Sequence, residues 1–237
     1  MTVKTVSGAG AAAEAADRQA VHVATSRQAE LAMRLLDLVV AAAMVVLLLP
    51  LLLVVALLIK LDSRGPVIFW QRRLGRDLAP FRVAKFRTMR DGAAADVHRA
   101  HVEAMIREDA KQGEDAPPRP MQKLHEDPRV TAVGSFLRRT SLDELPQLWN
   151  VLRGEMSLVG PRPPIGYEVE NYPARAFRRF AVRPGMTGLW QVSGRCLTTF
   201  DEMVELDITY IERRSFWLNL KILLLTVPTV IHGDGAE

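Results

Sequence analysis

The chain has 237 residues, 49% of them hydrophobic and 24% charged, which excludes a polytopic membrane protein and a disordered chain and leaves room for one or two domains. Its formal net charge of +4 suits phosphate-bearing partners or an anionic membrane surface. The single cysteine, Cys196, excludes an internal disulfide and any zinc site built on cysteine pairs, and it fits a reducing, cytoplasmic setting.

Residues 1–30, rich in alanine and small polar groups without sustained periodicity, read as a flexible N-terminal tail. Residues 31–62 read as a membrane segment. From Leu38 to Ile59 no side chain is charged or strongly polar. A helix of that length is roughly 33 Å long, enough to span a hydrocarbon core. No polar face exists to meet water, which argues against a buried core helix. The run is too long for a signal peptide, and Lys60, Asp62 and Arg64 follow it in place of a cleavage site. Pro50 lies mid-run and removes one helical hydrogen bond, so a kink is expected. A kinked helix could cross the bilayer, or dip in and turn back; these residues leave both open. Lys60, Arg64, Arg72, Arg73 and Arg76 put the body of the protein in the cytoplasm under either reading.

Residues 63–214 are expected to form the cytoplasmic domain. "PVIFWQRRLG" and "PFRVAKFRTM" each hold a β-prone run, with glycine, aspartate and proline between them, so a hairpin is predicted. Most arginines here read as a solvated or lipid-facing surface. Lys85 is different, because apolar residues flank it. Residues 93–112 look helical, and "GEDAPPRP" then breaks the chain. His98 and His101 lie three apart on that helix, but no third ligand is evident, so they read as a solvated face.

"SLDELPQLW", Ser141–Trp149, places Asp143 and Glu144 side by side. Ser141 and Glu144 match a capping box. Pro146 weakens that reading, because a helix capped at Ser141 would put the proline at its fifth position. A start at Leu142 or Asp143 keeps Pro146 where no donor is needed. Both carboxylates then sit at the positive end of a helix, where anions are favoured. A divalent cation would relieve their repulsion, and Mg²⁺ prefers one or two carboxylates plus substrate phosphates. Downstream, "GEMSLVGPRP" holds Arg162 in a turn stiffened by Pro161 and Pro163, a good bidentate phosphate ligand.

Helical patterns continue over 143–153, 168–180 and 200–213, and "RPGMTGLWQVSGR" reads as loop. At 215–232, "FWLNLKILLLTVPTVI" is apolar but too short to span. Phe216 and Trp217 suit a membrane interface, and a helix packed on the core fits equally well. The four tryptophans read as packing or interfacial residues. No nucleic-acid partner is expected, since the basic residues flank apolar runs.

The blocks "KFRTM", "TSLDELPQLWNVLRGEMSLVGPRP" and "RPGMTGLWQVSGR", followed by a closing aromatic–apolar helix, come in this order after a proline-broken hydrophobic segment. Over Leu35–Val230 the chain resembles the monotopic phosphoglycosyl transferases, bacterial sugar transferases that move a sugar phosphate from a UDP-sugar onto a polyprenyl phosphate. It looks like their minimal form, without the additional helices and domain that longer members carry in front.

The resemblance implies a mainly α fold with a small β-hairpin. A re-entrant helix–break–helix would turn at Pro50 with both ends cytoplasmic, joined to a compact catalytic domain with interfacial amphipathic helices. It implies Asp143 as nucleophile on the β-phosphorus, Glu144 as holder of Mg²⁺, and UMP as leaving group. Lys85, Arg138 and Arg162 match the family's phosphate-binding positions. Arg195 in "SGR" and Asp207 in "VELD" match less closely. Cys196 stands where the family has a polar residue, and the 93–123 insertion is longer than usual. The implied location is the cytoplasmic face of the bacterial inner membrane, as the first membrane step of polysaccharide or glycoconjugate synthesis. Two other readings compete: a Mg²⁺-dependent glycosyltransferase releasing UDP, and a lipid-binding scaffold. The sugar transferred and dimerisation of the chain stay open.

Overall fold

A computed structural model describes residues 26–90, 129–170, 172–193 and 198–232. The helix expected at 93–112, the histidines on it and Arg195 lie outside the described residues.

Ser26 opens the first helix, its hydroxyl accepting from the Ala29 amide at 3.2 Å. Glu30 in the first turn and Lys60 in the last complement the helix dipole. This helix, α1, runs over Arg27–Asp62, with Pro50 inside. Its cap at Ser26 makes Arg27–Glu30 helical, so the tail expected to reach residue 30 gives way earlier. By length and composition α1 could cross a membrane. Both of its halves pack against the rest of the chain. Met33, Asp37 and Ala41 are buried on the first half, Val55 and Ile59 on the second. Between them Val46 and Leu47 stand 75% and 78% exposed.

The predicted hairpin is present. β1 (Ile68–Leu74) pairs antiparallel with β2 (Pro80–Phe86), in a register that sets Phe69 opposite Lys85 and Ile68 opposite Phe86. One face carries Ile68 and Phe86, which join Val55, Ile59 and Leu137 in an apolar cluster. Lys85 lies on the other face.

Helix α2 (Ala132–Arg139) is capped by Thr131, whose hydroxyl accepts from the Gly134 amide at 3.0 Å. Gly134 lets α2 lie directly on β2's continuation, since a Cβ there would meet the Thr88 carbonyl oxygen at 2.0 Å. A 3₁₀ turn, Leu142–Gln147, leads into α3 (Leu148–Arg153). Strand β3 (Ser157–Val159), helix α4 (Gly166–Val169) and a second 3₁₀ segment (Ala174–Ala181) follow. The helix expected over 168–180 is thus split, because Pro173 cannot continue a helix and disfavours helical backbone before it.

Strand β4 (Gly185–Thr187) and helix α5 (Leu189–Ser193) replace most of the loop expected there. β4 pairs in parallel with β3, Ser157 opposite Gly185 and Val159 opposite Thr187. Glycine has poor strand propensity, but here its missing side chain is what permits the approach: a Cβ on Gly185 would meet the Gly160 nitrogen at 2.1 Å. Helix α6 (Phe200–Arg213) starts with a complete capping box between Thr199 and Glu202.

Helix α7 spans Phe216–His232. Its Asn219 and Ile222 are buried, whereas Trp217, Leu224 and Val227 are exposed. It is a core-packed helix that also leaves an apolar face open. The Tyr210 hydroxyl of α6 lies 3.0 Å from the Val159 carbonyl and 2.9 Å from Asn219 Oδ1, tying α6, β3 and α7 together. The main core joins β2, α3, β3, α6 and α7 around Val83, Val151, Leu158, Ile211 and Ile222, with Ala41 of α1 inserted.

Candidate active site

Ser141 adopts a left-handed backbone, φ 56°, and its side chain caps nothing. The capping box is therefore absent, as Pro146 foretold. A non-glycine residue in that region is strained, and here it turns the chain sharply before the two acids. Asp143 and Glu144 occupy the first 3₁₀ turn, just before α3.

Lys85 comes from β2. Its ammonium lies 2.8 Å from Glu144 Oε1 and 3.9 Å from Asp143 Oδ2. Asn150 holds the two elements in register. Fully buried on α3, it accepts from the Ala84 amide at 3.0 Å and donates to the Arg82 carbonyl at 2.6 Å. The strand carrying Lys85 is thus stitched along its outer edge to the helix that follows the acids.

Burial opposes ionisation of Glu144. The Lys85 ammonium, helped by Arg162 and Arg73, overcomes it and holds the carboxyl at about 2. The Glu144 side chain is 40% exposed, so water screens part of this field, while Asp143 is 13% exposed. Glu144 is anionic at neutral pH, and both acids keep a path to solvent.

Arg162 sits on a segment rich in proline, where few amides can anchor the chain. The carbonyls do so instead. Pro161 O accepts from the Gly185 amide at 2.9 Å and Pro164 O from the Leu74 amide at 3.0 Å. Arg162 O accepts from Arg179 at 3.3 Å, and Pro163 O accepts from Arg73. Four successive carbonyls are held by donors from β4, the Ala174–Ala181 segment and β1. The Arg162 side chain stands exposed on this fixed turn, within the field felt by Glu144.

A family model described as "Bacterial sugar transferase" matches residues 28–233. The chain belongs to the bacterial sugar transferase family. It is 38% identical to the exopolysaccharide production protein ExoY of Rhizobium meliloti, over 87% of this chain and 88% of that protein. It is 45% identical to the UDP-glucose:undecaprenyl-phosphate glucose-1-phosphate transferase of Caulobacter vibrioides, over 87% of this chain and 72% of the relative. The galactosyl transferase CpsE of Streptococcus agalactiae is 42% identical over 87% of this chain, which spans 44% of its length. Other relatives are also longer, so the chain spans less than half the length of several proteins it matches.

Within this family member the other site residues predicted from sequence fall in three places. Arg138, on α2, donates from Nε to the Thr88 hydroxyl at 3.0 Å. Asp207 is buried on α6 and pairs with Arg179 at 2.7 Å, so it acts behind the site rather than in it. Pro50 lies inside α1, which runs as one uninterrupted helix over Arg27–Asp62, with buried residues on either side of the proline.

Three residues that sequence reasoning passed over prove structural to the site. Arg73 had been grouped with surface arginines, yet it is buried, and burial, with Arg162 nearby, brings its guanidinium down to about 10. It remains a cation at neutral pH. Arg179, in "ARAFRRF", carries no signal that sets it apart from the arginines beside it, yet it is buried. Asn150 carried the one available signal, an amide inside the apolar run "LWNVL".

Proposed function

We propose that this chain transfers a sugar 1-phosphate from a UDP-sugar to a polyprenyl phosphate at the cytoplasmic face of the bacterial inner membrane, as an early step of exopolysaccharide synthesis. The observation that carries the reading is the Lys85 ammonium bridging two adjacent carboxylates on one rigid turn, in the field of Arg162. Relatives named as undecaprenyl-phosphate sugar phosphotransferases support the substrate classes.

In the first half-reaction an Asp143 carboxylate oxygen attacks the β-phosphorus of the UDP-sugar. An Asp143 oxygen–phosphorus bond forms, and the bond from that phosphorus to the bridging oxygen breaks. UMP leaves with the electron pair. In the second, a phosphate oxygen of the polyprenyl acceptor attacks the same phosphorus and frees the Asp143 carboxylate. Lys85 and Arg162 offset the negative charge gathered around the phosphorus, and the pinned carbonyls of 161–164 keep Arg162 from moving between the two steps.

Mg²⁺ fits the donor set. Glu144 is ionised and partly open, Asp143 is its neighbour, and among the described residues no group of three or more His, Cys, Asp or Glu makes a cage. A cation here would share one or two carboxylates with water and substrate phosphates. When bound, it would neutralise diphosphate charge.

The same proposal has α1 re-entrant, turned at Pro50. Docking of both halves on the same domain supports this, as does the exposed apolar stretch at Val46–Leu47 between them. The open apolar face of α7 would then lie in the interface.

The test incubates the membrane-embedded protein with a panel of UDP-sugars, polyprenyl phosphate and Mg²⁺. UMP release, and a phosphosugar trapped on the protein and lost in Asp143→Asn, are expected. Release of UDP would indicate transfer of the sugar without its phosphate. Consumption of no nucleotide sugar would leave only a lipid-binding scaffold.

A further inference from the structure

The hairpin has two unlike faces. In an antiparallel ladder, residues directly opposite one another project to the same side. Ile68 and Phe86 are such a pair, and they pack with Val55 and Ile59 of α1. That face belongs to the second half of α1. Phe69 and Lys85 are the adjacent pair, so Phe69 projects to the face on which Lys85 reaches Glu144. Gln71 and Arg73 follow Phe69 on that face, at the two-residue period of a strand.

Phe69 is 51% exposed although it stands beside the charged centre of the molecule. An aromatic ring left open to water is ordinary by itself. Its setting is not. Val83 and Phe81 share that face but pack into the main core. The groups beside the open ring are the ammonium directly across from it and the Gln71 amide two residues on, on the face turned away from the part of α1 that would meet lipid. Gln71 is held in one orientation, because Arg73 donates to Gln71 Oε1 from both Nε (3.1 Å) and Nη2 (2.7 Å). The oxygen is thereby committed, and the amide nitrogen remains as the donor that Gln71 can offer.

We propose that Phe69 is a substrate-contacting residue, the platform on which the pyrimidine ring of the nucleotide donor stacks, with the Gln71 amide nitrogen donating to a ring carbonyl oxygen. This rests on the UDP-sugar reading above and extends it to the base. A flat ring is what an exposed phenyl group binds best, since every base has a π-face. The spacing suits a nucleotide: the ring lies opposite Lys85, whose side chain extends from the strand towards the acids that would meet the diphosphate.

The test uses the full chain in nanodiscs and titrates UMP alone onto wild type, Phe69→Leu and Phe69→Tyr. Inorganic pyrophosphate serves as the base-free competitor. Phe69→Leu is expected to weaken UMP about ten-fold, leave pyrophosphate competition unchanged and raise the KM for the UDP-sugar but not for polyprenyl phosphate. Phe69→Tyr is expected to restore UMP affinity. Wild-type binding of UMP with no loss in Phe69→Leu would overturn this proposal and leave the transferase reading intact. So would a KM increase confined to polyprenyl phosphate, which would give the ring to the isoprenoid chain. Failure of wild type to bind UMP would overturn both.

Discussion

Asp207 and Arg179 form a 2.7 Å ion pair in which both side chains are almost wholly buried, and Arg179 also donates to the carbonyl oxygen of Arg162. The acid therefore acts on the proline-rich turn that carries Arg162 through its partner. Arg179 is further fixed by the Tyr172 hydroxyl at 3.1 Å. Removing the acid alone strands a buried guanidinium, a change that typically costs about 3–5 kcal/mol. Asp207→Ala is expected to lower stability by that order, read by denaturant unfolding in detergent. The double variant Asp207→Leu with Arg179→Met should recover much of the stability but not the activity, because Arg162 O has lost its donor. Recovery of both would show that the pair does nothing for the turn.

Lys85 sets the ionisation of Glu144. The folded carboxyl sits at about 2, below its ordinary 4.5. A depressed acid stabilises the fold above its unfolded pKa, and that contribution fades as pH falls towards 2. Glu144 should thus remain ionised through mildly acidic pH, and the acid limb of the activity profile should not report its protonation. In Lys85→Met the burial stays and the main opposing charge goes, so the Glu144 pKa should rise. Carboxyl ¹³C shifts followed against pH in wild type and variant measure this directly. An unchanged midpoint would remove Lys85 as the cause.

Gly134 permits the close crossing of α2 over Thr88, the residue whose hydroxyl accepts from Arg138. A methyl group at 134 meets backbone rather than a flexible side-chain end, so α2 must shift. Overpacking of this kind costs about 1–3 kcal/mol. Gly134→Ala is expected to lower the unfolding midpoint and, by displacing Arg138, to raise the KM for the nucleotide sugar. A wild-type midpoint would mean the crossing is slack.

Parts of this arrangement could be seen in the chain, and others could not. Lys85, Asp143 and Glu144 stood out because charges inside apolar or proline-marked stretches need a reason. The hairpin followed from its β-prone runs and the turn residues between them, and α6 from local periodicity. The pairing of β3 with β4 was hidden, because "SLV" and "GMT" are too short to show a period and depend on each other rather than on local propensity. Arg73 and Arg179 were hidden for a related reason. A buried arginine reads like a surface one until the carbonyls that receive it are placed, and those carbonyls belong to residues far along the chain.

Asp37 gives the long apolar helix α1 its fixed seat. The acid lies inside α1, yet its carboxylate accepts from the Ser157 hydroxyl at 2.8 Å and the Leu158 amide at 2.9 Å, at the start of the strand leading to Gly160 and Arg162. One turn earlier, Arg34 donates to the Val151 and Leu152 carbonyls at 2.9 and 3.2 Å, near the end of α3. Val151 O also accepts from the Gly154 amide that caps the helix, at 3.0 Å, and carbonyls at this end carry the negative end of the dipole, so a guanidinium suits them. The anchor and the site are thus joined by directional bonds rather than by apolar contact alone. Asp37→Ala removes two acceptors from β3 while leaving the apolar run from Leu38 untouched. The variant is expected to float with liposomes as wild type does, yet to lose at least about ten-fold in turnover, as a loss of about 1.4 kcal/mol in positioning would give. Ser157→Ala, which leaves the Leu158 amide bond in place, should lose less. Equal activity in Asp37→Ala and wild type, with both on the membrane, would show that the depth and orientation of the site do not depend on this seat.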